Sequence, residues 1–147
     1  MPNLCSNNVL IIHENTIMNE KIETAFKSGR LFEEFINFQG PHDRSSCIEH
    51  WGVGHDIGGG FKPVKEGGGW RLSFESAHNP PIEAFEQLKG LGFEIHADYF
   101  ESTEKMVGVW YDGLEEVWHF DATNFDKIPE SLVESYSISE MFDEEDG

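Results

Sequence analysis

The sequence predicts an α+β fold, and three observations carry it. Apolar residues alternate with polar ones in several separate short stretches, the period of half-buried strands. Two stretches between them instead repeat their apolar residues at helical spacing. Glycine, proline and Asx residues punctuate the boundaries. The resulting order, β-α-β-β-α-β plus an added C-terminal hairpin and an acidic tail, is that of a split βαβ, or ferredoxin-like, sandwich. The term describes a fold, and two cysteines are too few to hold an iron–sulfur cluster.

"NVLIIH" (8–13) is a buried-strand signal. Asn15 and Thr16 can cap a following helix, in which Ile17 or Met18, Ile22, Ala25 and Phe26 face inward until Gly29 stops it. "LFEEFINF" (31–38) has room for two turns and reads as a short helix or an irregular core segment. Residues 54–69 hold two glycine triplets and read as loop or hairpin. They lack the Gly-Lys-Ser/Thr ending of a phosphate loop. "WRLSFESA" (70–77) alternates, with Trp70, Leu72, Phe74 and Ser76 on one side. Asn79 is placed as the cap of a helix opening at Pro80-Pro81, with Ile82, Phe85, Leu88 and Leu91 buried. "FEIHADYF" (93–100) alternates again. "MVGVWYDG" and "LEEVWHFD" form a hairpin about Asp112-Gly113. Beyond Ala122 the pattern weakens to one helix candidate, Pro129 to Tyr136. The expected organisation is one domain over 1–121 and an acidic segment, partly helical or disordered, over 122–147.

Composition narrows the functional classes. The 147 residues are 38% hydrophobic and 13% aromatic, enough for one folded core. The net charge is −18, which opposes direct binding of nucleic acid or an anionic membrane and favours basic partners. The charge is uneven: residues 101–147 carry fourteen acids and two bases, a net of −12. "VLII" is far too short for a signal peptide, and no run approaches the roughly 20 apolar residues of a membrane span. A cytosolic protein with Cys5 and Cys47 reduced is expected.

Four stretches carry a resemblance: the opening Met-Pro-Asn-Leu-Cys-Ser-Asn (1–7), "HWGVGHD" (50–56), "FESAHNPP" (74–81), and "ADYFE" (97–101) with Gly108 beyond it. In this order they resemble the YubB ferredoxin-like domain family, small proteins of bacteriophages and plasmids. That family's pattern runs Met-Pro-Asn-x-Cys-Ser-Asn, Trp-Gly-Thr-Lys-Trp-Asp, Thr-Ala-Trp-x-Pro-Pro, then Tyr-x-Glu and a glycine. The match covers roughly 1–113. Here Val53-Gly54-His55 stands for Thr-Lys-Trp, and Ser76-Ala77-His78 for Thr-Ala-Trp. The resemblance implies a ferredoxin-like fold and a mobile-element origin, and it brings no reaction.

Cys47, His50, His55, Asp56 and His78 are zinc ligands by type, and Cys47-x2-His50 has ligand-like spacing. No second ligand pair completes the set, and a histidine also replaces tryptophan as a flat ring with a polar tip. "HWGVGHD" is therefore expected to be a strand end and turn in which His50 and His55 share no metal. Cys5 reads as a small buried hydrophobe rather than a nucleophile. Trp51, Trp70, Trp110 and Trp118 read as core, with an exposed binding face as the alternative.

The expectation that follows is a small acidic non-enzymatic phage protein of the host cytoplasm. It would need no cofactor and would bind a basic protein surface, that of a host nuclease or other DNA-binding defence protein, through a DNA-mimicking acidic face. The candidate contact residues are Glu101, Glu104, Asp112, Glu115, Glu116 and Asp121, with the carboxylates of 115, 116 and 121 held on a strand. The alternative is a small metal-binding enzyme or sensor module built on Cys47, His50, His55 and His78. A virion component is a third class without a sequence signature.

Overall fold

A computed structural model describes residues 4–41, 43–57, 62–77 and 79–138. They form a mixed α+β fold with a six-stranded antiparallel open sheet in the order β2-β3-β1-β4-β5-β6. The strands are β1 (Leu4–Ile12), β2 (Val64–Glu66), β3 (Gly69–Ala77), β4 (Glu94–Glu101), β5 (Met106–Tyr111) and β6 (Leu114–His119). The helices are α1 (Thr16–Lys27), α2 (Leu31–Phe35), α3 (Arg44–Trp51), α4 (Ile82–Gly90) and α5 (Glu130–Ser135), with a 3-10 turn at Phe125–Lys127.

β1 is central because its neighbours pair along almost its whole length. Leu4 to Ile11 face Ala77 to Trp70 of β3, and Cys5 to Ile12 face Glu101 to Glu94 of β4. The two-residue side-chain period then sorts the sheet. Cys5, Val9 and Ile11, Trp70, Leu72 and Phe74, Ile95, Ala97 and Tyr99 all point to one face. There they join α1 through Ile22 and Phe26, α2 through Leu31 and Phe32, α3 through Cys47 and Trp51, and α4 through Ala84, Phe85 and Leu88. The expected inward residues of 70–77 and 93–99 are thus inward. Trp51, Trp70 and Trp110 are core residues.

Helix ends follow local chemistry. The Asn15 side chain accepts the Met18 N–H at 3.1 Å, as its position before α1 suggests. α3 differs from the sequence expectation, which placed a strand end and turn at 50–56. Asp43 caps it by accepting the Ser46 N–H at 2.8 Å. Gly52 closes it with φ +83, its N–H donating to the Ile48 carbonyl at 2.9 Å. The Gly52-Val53-Gly54 turn stands, but it follows a helix. Asn79 does not cap α4. Pro81 occupies the cap position without a side-chain bond, and the Asn79 carbonyl instead accepts the Ser76 hydroxyl at 2.6 Å. Leu91 falls just past the end of α4 and so leaves its apolar stripe; it is exposed.

The segment after β6 packs on the opposite sheet face. Phe120, Ile128, Leu132 and Ile138 are buried with Val107, and Phe100, Trp118 and Tyr136 pack against them. The ring of Phe100 stacks on Phe120 (centroids 5.9 Å) and on Tyr136 (5.1 Å). The acidic segment is therefore anchored by apolar side chains as far as Ile138. The tail "EMFDEEDG" (140–147), which its composition predicts to fray, lies outside the described residues. No helix of the described residues is long and apolar enough to cross a membrane.

Candidate functional site

"HWGVGHD" is structural at most of its positions. The Trp51 indole N–H donates to the Ile36 carbonyl at 3.0 Å. His50 stacks flat on Phe38, centroids 4.3 Å apart, and its carbonyl accepts the Gln87 side chain at 2.6 Å. Asp56 accepts the backbone N–H groups of Phe32 (2.8 Å) and Glu33 (2.9 Å) at the start of α2, and that of Ile57 (2.8 Å). Burial raises its pKa while those bonds pull the other way. His55 is exposed, its Nδ1 2.7 Å from the Asp56 carbonyl.

The alternative metal set is not gathered where the structure describes it. Cys47 is buried in the core, and burial raises its thiol pKa. Cys47, His50 and His55 do not converge; among the described residues the cluster of three or more potential ligands is Glu94, His96 and Asp112. His78 lies outside the described residues. Both cysteines are free.

Three of the four stretches that carried the resemblance contribute to one hollow, through Gly52, Asn79-Pro80 and Tyr99. A cavity of ≈ 470 Å³ lies between the end of α3, the Pro80 corner and the β5–β6 hairpin; Tyr99, Glu83 and Glu115 line it. A second hollow of ≈ 610 Å³ shares Ile48, Gly52 and Asn79 with it and reaches Arg44 and His55. The Tyr99 hydroxyl donates to Glu115 Oε2 at 2.6 Å. Burial first, and then that carboxylate, raise the Tyr99 pKa, so the phenol stays protonated. Its ring lies on Gly108, where a Cβ would meet Tyr99 Cζ and Oη at 2.6 Å.

Behind Tyr99 runs a buried polar layer. Asn7 donates to the Ser76 hydroxyl (2.9 Å) and the Cys5 carbonyl (3.1 Å). Burial, then the Glu101 charge, push the Cys5 thiol up to about 12. Thiolate is the nucleophilic form; burial at 0% exposed disfavours it, and Cys5 packs here as a small core side chain. Glu101 corrects the expected contact set. It is 1% exposed and accepts the N–H groups of Thr103 (3.1 Å) and Glu104 (2.5 Å), closing the β4–β5 turn. Its alternation with Tyr99 sends it inward.

The remaining acids surround one edge. Glu104, Glu115, Glu116 and Asp121 are exposed, and Asp112 is half-buried in the hairpin turn. Glu115 sits opposite Trp110 and Glu116 opposite Val109, so the two project from opposite faces of β6. Asp121 is not on the strand as expected, because β6 ends at His119. Its carboxylate accepts the Thr123 hydroxyl (2.6 Å) and N–H (2.8 Å), and these bonds lower its pKa.

Sequence reasoning missed the Tyr99–Glu115 pair and the Glu94–His96–Asp112 group, because both depend on strand register. Glu94-x-His96 was the available signal, since residues two apart on a strand share a face. No family model matches the chain, and no curated protein or solved structure matches it either.

Proposed function

We propose that the chain is a non-enzymatic binding protein that docks a basic protein segment along β6. The observation that carries this reading is the state of that strand. β6 ends the sheet, five of its six residues are exposed, and it presents Glu115 and Glu116 on its two faces. An outer strand offers unpaired backbone N–H and C=O groups to an added strand. The exposed Leu114 and Val117 supply apolar contact between the carboxylates. A partner strand alternating basic and apolar residues complements both features.

A ferredoxin-like split βαβ unit, extended by the β5–β6 hairpin, is supported by the order β2-β3-β1-β4 with antiparallel neighbours. A phage or mobile-element origin and a DNA-binding host defence protein as partner extend the proposal from the resemblance and from the charge of −18. The test is capture from bacterial lysate by the wild-type protein and by the E115K/E116K variant, at low and high salt. The reading expects a basic protein retained by the wild type and lost both from the variant and at high salt. Equal retention by the variant overturns it.

A further inference from the structure

We propose that Glu94, His96 and Asp112 form a binding site for a single divalent transition-metal ion, zinc fitting best. The site stands apart from the docking reading above and does not depend on it. Glu94 and His96 are two apart on β4 and therefore share a sheet face. His96 pairs across the ladder with Tyr111, and Asp112 is the next residue of the chain. Register alone thus brings the three together on two adjacent strands, a rigid base for a site.

The distances suit a small ion. His96 Nε2 lies 3.4 Å from Asp112 Oδ2 and 3.6 Å from Glu94 Oε1. A tetrahedral ion with bonds near 2.1 Å has donor atoms about 3.4 Å apart. All three donor atoms lie within 4.8 Å of one another, so rotation of the exposed Glu94 side chain is enough to close the set.

Asp112 is held ready. Its Oδ1 accepts the Ile95 N–H at 2.8 Å, and its own N–H donates to the Ile95 carbonyl at 3.0 Å. Its φ of +50 is fixed by the two-residue hairpin turn. The second carboxylate oxygen is thereby presented to His96, an anchoring of the kind that supports metal ligands. The Tyr111 ring lies beside the imidazole, centroids 5.3 Å apart. Among the described residues, neither Glu94 nor Asp112 has a lysine or arginine within ion-pair distance. Lys89 lines the same hollow without an ion pair to either carboxylate, so it offsets part of their charge and the rest is open to a bound cation. One imidazole and two carboxylates suit zinc and its first-row neighbours better than calcium or magnesium, which favour all-oxygen sets. Three protein ligands leave the fourth position to water.

The experiment is calorimetric titration of the whole metal-free protein with Zn²⁺, at a salt concentration that screens diffuse attraction to the acidic surface. One equivalent is expected to bind. His96→Ala and D112N should each weaken binding by about tenfold or more, and His55→Ala should leave it unchanged. D112N keeps an acceptor for the Ile95 N–H and tolerates a positive φ, so the hairpin stays folded while the free oxygen is lost. Circular dichroism of each variant checks that. Absence of one-equivalent binding, or equal affinity in His96→Ala, overturns the site.

Discussion

Gly108→Ala tests the packing that shapes the cavity. A Cβ at this position meets Tyr99 Cζ and Oη at 2.6 Å and Cε2 at 2.7 Å, whereas carbon atoms in contact sit about 3.5–4.0 Å apart. The ring must therefore retreat by about 1 Å. It has little room: Tyr99 is 1% exposed, and β5 is held in ladders by both β4 and β6. Overpacking of this kind costs about 1–3 kcal/mol. Displacing the hydroxyl from Glu115 weakens a charge-assisted bond, adding about 1 kcal/mol. Urea unfolding should thus show a loss of about 2–4 kcal/mol in the variant. The decisive control is the cycle with Tyr99→Ala, in which the added methyl meets no ring and Gly108→Ala should become nearly neutral. An equal loss in both backgrounds, or a loss below about 0.5 kcal/mol in the wild type, refutes the clash.

Other expectations rest on equally local features. Phe85→Ala, at a ring 2% exposed and 5.7 Å from that of Trp110, should cost about 3–5 kcal/mol in the same assay. Asp56→Ala frees three backbone N–H groups and should cost about 2 kcal/mol; the exposed His55→Ala should cost under about 0.5 kcal/mol. Burial raises the Asp98 pKa against the opposing bond from Tyr136. Its folded state thus holds a proton that the unfolded state releases near pH 4. Above that pH the wild type should lose stability relative to Asp98→Asn as pH rises through the raised value, and a relative gain would reverse the assignment. Thiol reagent should reach neither Cys5 nor Cys47 in the native protein and both in denaturant.

The parts legible in the sequence were those written in short-range period or in turn chemistry. Ile95, Ala97 and Tyr99 alternate cleanly, Asp112-Gly113 marks its hairpin, and Asn15 caps α1. α3 escaped because its apolar stripe is only Cys47 and Trp51, four residues apart, although Asp43 and Gly52 signalled both ends. The C-terminal packing escaped because Phe120, Ile128, Leu132 and Ile138 are spread over turns and one short helix, with no sustained period. Glu101 was misplaced because residue type was weighted over position; the alternation that buries Tyr99 also buries residue 101. Asp112 was placed in a turn correctly, but its meeting with His96 needed the β4–β5 register.

Docking at the β6 edge is tested by amide NMR of the labelled protein titrated with a peptide alternating lysine and valine. The largest shift changes are expected at Leu114 to His119, fading as salt is raised because exposed charges are screened over roughly 8 Å at physiological ionic strength. The E115K/E116K variant should show no response, while deletion of 143–147 should leave the pattern in place. Changes spread over the whole acidic surface, or centred on β2 at the other edge of the sheet, would contradict it.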